Sequence, residues 1–165
     1  MQNGRVTHQS DGYAFQPGAS LEELDMGGGS HLSLRVTGEQ SNGTVTVLEG
    51  VVGEGGPPLH VHDHEDEVVI VLEGELRYQV GEHSGVLPAG GLLWLPRAVP
   101  HAIANHSGAP CRFLTIVTPA GIEHFFRAQR DYIESLSPGA ASDPDAFSAL
   151  YGASTRRVVG PPLTN

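Results

Sequence analysis

The chain has 165 residues, a formal net charge of −10, nine arginines and no lysine. That length fits one domain with its own hydrophobic core. The missing lysine excludes Schiff-base chemistry through a side chain, the scattered arginines form no basic stripe for nucleic acid, and a lone cysteine, Cys111, excludes an internal disulfide.

Residues 1–19 show no periodicity and read as an arm. Ser20-Leu21-Glu22-Glu23 fits a capping box, which predicts a short helical turn ended by Gly27-Gly28-Gly29. From His31 the pattern becomes that of strands. Runs at His31–Thr37, Thr44–Val52, Glu67–Leu72, Glu75–Val80, Gly91–Leu95, Pro100–Asn105 and Cys111–Thr118 are separated by turn residues every eight to twelve positions. That spacing is the rhythm of a sandwich or barrel, and 22 glycines and 12 prolines suit it. A tight turn is expected at Glu73-Gly74. After Thr118-Pro119-Ala120-Gly121, the residues Ile122, Phe125, Phe126, Ile133 and Leu136 fall at helical spacing. Ser137-Pro138-Gly139 stops that helix, and Asp143-Pro144 starts a second, short one that Gly152 closes. The remainder reads as a polar tail. The organisation expected is an arm over 1–30, a β-barrel over 31–118, and a helical appendage of the same domain over 119–165. The N-terminal residues lack an apolar signal core, and no apolar run approaches the roughly 20 residues that span a bilayer. A soluble cytoplasmic protein is the expectation.

The chemistry is concentrated in LHVHDHEDEVVIVLEG, residues 59–74. His60 and His62 are two apart, so on a strand they share a face. Glu67 opens the next run of β-branched residues, and His101 lies on a later extended run. Three imidazoles and a carboxylate suit a mid-row divalent metal, Fe, Mn, Ni or Zn, with one or two positions left open. His64 would share the face of His60 and His62 only if that strand continued through the acidic cluster Asp63, Glu65, Asp66, which reads as a solvated turn. His8, His31, His83, His106 and His124 read as surface or core residues, and Cys111 as a small core residue. By alternation Val69, Val71, Ile103 and Asn105 should follow Glu67 and His101 inward, joined by Phe113, Thr115, Tyr78 and either Leu93 or Trp94. Arg35, Arg77 and Arg112 should face outward.

The two segments His60-x-His62-x4-Glu67-x6-Gly74 and Gly90-x5-Pro96-x-Ala98-x2-His101-x3-Asn105 resemble the paired motifs of the cupin superfamily. The resemblance implies an all-β double-stranded β-helix, the cupin or jelly-roll barrel, with short C-terminal helices added. It also implies one divalent transition metal held by His60, His62, Glu67 and His101. Two turn positions depart from the family pattern: its first glycine falls at Glu54, and a second is Ala98. An alanine is costly at positive φ, so the loop at Ala98 is expected to differ from the family's turn. GGPPLHVHDHEDEVVIVLEGEL, LPRAVPHAIAN and TPAGIEHFF are similar to small cupins related to quercetin 2,3-dioxygenases. That likeness implies a small hydroxylated aromatic or polyketide-like substrate, with O2 as co-substrate in an oxygenase. Lewis-acid cyclase or isomerase chemistry, or ligand binding without catalysis, are the alternatives. Glu67 is then a ligand, a catalytic base or both. Val68, Ile70 and Leu72 should face away from the barrel interior, and small cupins suggest a homodimer as their cover.

Overall fold

The computed structural model describes residues 12–137 and 143–164. The chain forms, in order, strands β1 (Glu22–Gly27) and β2 (Ser30–Val36), the short helix α1 (Gly38–Ser41), and strands β3 (Thr46–Val52), β4 (Pro58–His62), β5 (Asp66–Glu73), β6 (Glu75–Val80), β7 (His83–Pro88), β8 (Leu92–Leu95), β9 (His101–Ala104) and β10 (Cys111–Thr118). Helices α2 (Ile122–Ser135) and α3 (Pro144–Gly152) and strand β11 (Arg156–Pro162) complete it. Two antiparallel sheets result, ordered β1-β2-β3-β10-β5-β8 and β11-β4-β9-β6-β7. This is the jelly-roll barrel that the sequence predicts, two sheets closing on one interior.

Alternation builds the interior. On β10, Cys111, Phe113, Thr115 and Val117 are buried while Arg112, Leu114 and Ile116 are less so. Thr115 pairs with Leu48 on β3 and Val69 on β5, and Leu24, Leu34, Leu76, Leu93 and Leu95 fill the same core. Gly50 stands opposite Phe113. A Cβ there would strike the Phe113 ring, so this glycine lets the ring lie flat across the strand. Gly74, at φ 77°, makes the predicted turn between β5 and β6.

Three local expectations fail. Ser20–Glu23 starts no helix: Glu22 and Glu23 pair with Leu34 and Ser33 in β1–β2, and the Glu23 carboxylate accepts from Ser20 and Ser33 hydroxyls. Burying Leu24 outweighs a local cap. The capping box of this chain lies instead at Thr37 and Gln40, heading α1. Ala98 adopts φ 62° although it is not glycine, so the loop keeps the left-handed turn; its N–H donates to the His62 carbonyl at 2.8 Å. Finally, the polar tail is β11, paired with β4 from Arg156↔His62 to Pro162↔Pro58. Among the described residues no helix is long and apolar enough to cross a membrane. His8 lies outside the described residues.

Candidate metal centre

Strand parity places His60 and His62 on the inner face of β4, and His101 of β9 is the register partner of His60. The three ring centroids lie 4.6 to 5.0 Å apart, and one ligand nitrogen from each falls within 4.8 Å of the others. His60 Nε2 is 3.2 Å from His62 Nε2. His60 Nδ1 lies 2.8 Å from the Pro58 carbonyl and His101 Nδ1 lies 3.0 Å from the Val99 carbonyl. A carbonyl only accepts, so each of these Nδ1 atoms carries the proton and each Nε2 presents a lone pair. The backbone two residues upstream thus orients both rings, a partner that the sequence does not reveal.

Burial pushes the His60 imidazole down to about 4 and the His62 imidazole to about 2, with the charges of neighbouring His101 and Arg156 adding to the effect. Burial also lowers His101. All three are neutral at pH 7, the form that ligates. His101 Nε2 is buried with no hydrogen-bond partner, and a cation held among the three rings would satisfy it. The donor set fits the divalent metal inferred from the sequence.

Glu67 is not one of the converging three. Its Oε2 lies 3.7 Å from His62 Nδ1, and its side chain lines the same cavity. Burial raises its carboxyl to about 7, partly countered by Arg156. His64 is exposed and apart from the triad. Leu93 points inward and Trp94 outward. Asn105 is buried but structural, donating to the Val52 and Ala109 carbonyls. Tyr78 packs at the edge of the core, while Phe113, Thr115 and Ile103 line the cavity. Cys111 is a buried core residue whose thiol is raised by burial. Arg35 and Arg112 pair with Glu49 on the outer face, and Arg77 is exposed.

Two site residues escape a reading of the sequence alone. Arg156, the first residue of β11, is 2% exposed and is the lateral neighbour of His62. Its Nη2 donates to Glu65 at 3.0 Å, and its guanidinium lies 5.1 Å from the Phe125 ring centroid. Glu65, expected in a solvated turn, is buried, holding Arg156 and the Thr155 hydroxyl. The available signal was Val158-Val159, a β-branched pair after two arginines, which a strand reading of the tail would have used.

A cavity of about 890 Å³ opens onto the triad. Its walls are mostly apolar, from the inner sheets and from Ile122, Phe125 and Phe126 at the start of α2. Phe125 packs on Tyr151 of α3 at 4.8 Å, and Tyr151 packs on His60 at 5.6 Å. Glu123 fixes the first turn of α2, accepting from the Thr46 hydroxyl and from the Gly38 and Gly121 amides at 2.5 to 3.0 Å.

Residues 45–117 match the family model for the cupin domain. Among solved structures, an RmlC-like cupin from Shewanella frigidimarina NCIMB 400 is 23% identical with a TM-score of 0.58, over 72% of this chain and 99% of that one. KdgF from Halomonas sp. is 16% identical with a TM-score of 0.53, over 62% and 90%. A protein from Thermus thermophilus is 29% identical with a TM-score of 0.45, over 47% and 74%. No curated protein matches the chain. At such identities the structural likeness speaks to fold alone.

Proposed function

We propose that this chain, whose residues 45–117 match the cupin-domain model, is a cupin and a metal-dependent enzyme acting on a small hydroxylated aromatic or polyketide-like substrate, of the quercetinase-like dioxygenase kind. The observation that carries this reading is an apolar cavity of about 890 Å³ ending on three buried, neutral imidazoles. A divalent Fe, Mn, Ni or Zn held by His60, His62 and His101 would supply the charge that acidifies a bound hydroxyl and, if redox-active, electrons for O2.

The chain's own residues do the rest. The Pro58 and Val99 carbonyls lock two of the rings in orientation. Glu67, beside His62 and lining the cavity, is placed to accept a substrate hydroxyl proton at its carboxylate. Ile122, Phe125 and Phe126 wall off water. A second reading, non-redox cyclisation or isomerisation, draws on Glu67 as well. A carboxyl raised to about 7 can both take and return a proton near neutral pH.

Oxygen uptake by protein loaded separately with Fe, Mn, Ni and Zn, against a panel of flavonols and polyketides, separates the readings. The dioxygenase reading expects uptake with a redox-active metal and none with zinc. Zinc-supported turnover without oxygen uptake assigns the second reading, and no turnover with any metal overturns both. In the same proteins His60→Ala, His62→Ala and His101→Ala should each weaken metal binding tenfold or more, while His64→Ala leaves it unchanged.

A further inference from the structure

Four buried side-chain polar atoms among the described residues have no hydrogen-bond partner: His62 Nδ1, His101 Nε2, Thr115 Oγ1 and Arg156 Nε. All four residues line the cavity that opens onto the triad. Buried polar groups are otherwise almost always paired, because an unpaired one costs its full desolvation. Their gathering around one cavity marks the place where the polar atoms of a ligand belong. The two histidines are accounted for by the metal centre, with His62 Nδ1 facing Glu67. Thr115 and Arg156 are not.

Arg156 is the more telling of the two. A guanidinium is charged at every accessible pH and carries five donors in a rigid fork. One goes to Glu65 at 3.0 Å, and Glu65 is shared with the Thr155 hydroxyl. The Phe125 ring backs the guanidinium at 5.1 Å. These contacts hold it in place and leave the buried Nε–H unpaired, on a side chain that lines a cavity with mostly apolar walls. The β4–β11 register sets Arg156 directly beside His62, so a group bound there lies next to the metal centre.

We propose that Arg156 is an anion-recognition residue, with Thr115 as a second polar anchor, and that the cavity takes apolar small molecules bearing a single carboxylate. This deepens the proposed function, and rests on it only for the claim that the anion is part of the substrate. A carboxylate oxygen would accept from Arg156 Nε–H, a charge-assisted bond in a water-poor setting. The remaining hydroxyl or carbonyl groups of the ligand would meet Thr115 and the metal centre. The pairing with Glu65 offsets the charge of Arg156, so recognition comes from the directed N–H and not from a net positive field. One such bond to a charged group corresponds to a tenfold or larger preference.

The test uses the full chain stripped of metal by chelation, so that no carboxylate can be drawn by a metal ion. The probes are 2-naphthoate and its neutral isostere 2-naphthamide, titrated by fluorescence at pH 8. The proposal expects naphthoate to bind at least tenfold tighter than naphthamide. Arg156→Met should abolish that preference, costing naphthoate at least tenfold more affinity than it costs naphthamide. Should Arg156→Met not fold, Arg156→Lys, which keeps the charge but not the fork, should shrink the preference several-fold. Equal affinities for the two probes in the wild-type protein, or a preference that survives either substitution intact, overturn the proposal. Metal binding and oxygen uptake are read in separate experiments on loaded protein. A failure of the metal-enzyme reading therefore leaves the naphthoate preference standing, and the reverse holds too.

Discussion

Glu67 holds a position that parity on β5 makes legible: it precedes Val69 and Val71, both essentially unexposed, on the same inner face. What parity cannot convey is the 3.7 Å approach to His62 Nδ1 or the burial that lifts its carboxyl to about 7. A raised carboxyl is about half protonated at pH 7 and mostly protonated at pH 6. The His60 and His62 imidazoles, held at about 4 and about 2, carry no ionising proton to lose there, and burial lowers His101 as well. Metal binding that ionises Glu67 should thus release about one proton from it at pH 6, about half a proton at pH 7 and almost none above about pH 8. Calorimetry in buffers of different ionisation enthalpy reads that number, and Glu67→Gln should bring it to near zero and lower turnover by roughly 100-fold. Ala98 is the opposite case. Its residue type argued against a left-handed turn, yet the hydrogen bond to the His62 carbonyl holds it at φ 62°. Relief of roughly 1–2 kcal/mol of left-handed strain in Ala98→Gly is offset by about 0.5–1 kcal/mol of extra chain entropy. The expected outcome in thermal unfolding is a stability equal to wild type or higher by up to about 1.5 kcal/mol. A clear loss would mean that the methyl group itself packs.

The elements that the sequence makes plain are those whose period is written in their own residues. Strands β2, β3 and β10 alternate in burial, and β5 and β8 are apolar runs, whereas β7, whose run His83-Ser84-Gly85 is exposed, offers no apolar face to read. Helix α2 shows its stripe, and the structure puts that stripe to use: Ile122, Phe125, Phe126 and Ile133 all line the cavity. Elements defined by partners elsewhere in the chain are hidden. Strand β1 exists because β2 pairs with it, and Arg127 and Arg130 of α2 reach Glu22 on its outer side at 2.8 and 2.9 Å. Strand β11 exists because β4 offers an edge. The start of α2 is therefore both wall and packing, and its two phenylalanines separate these roles. Phe126 is half-buried, whereas Phe125 is 7% exposed and clasped by Tyr151 and Arg156. Phe125→Ala should cost about 3 kcal/mol or more. Phe126→Ala should raise the KM of a bulky substrate several-fold while lowering the melting temperature by no more than about 4 °C. An unchanged KM in Phe126→Ala would take that ring out of the binding wall.

At the scale of the whole molecule, the outer face of the six-stranded sheet is what the described residues leave open. Cross-strand pairing lines up Trp94, Val68, Ile116 and Val47 in one row and Leu92, Ile70 and Leu114 in the next. Trp94 is 53% and Leu92 58% exposed, and both lie on β8, the edge strand of that sheet. Helix α2 packs along β1 at the far edge, and α3 sits with β11 on the other sheet, so neither covers these rows. Val68, Ile70 and Leu72 do face away from the interior, as alternation predicts, with Leu72 exposed. An apolar face of this extent is the mark of an association surface. A second copy fits it best, since the same rows related by a two-fold axis are complementary to themselves and an edge strand tends to find a partner. The expected result in light scattering at micromolar concentration is twice the chain mass. Trp94→Glu should halve it while leaving metal binding intact, because Trp94 points away from the cavity. A wild-type monomer would assign the cover to the chain's own N-terminal residues, and deleting residues 1–11 should then produce self-association.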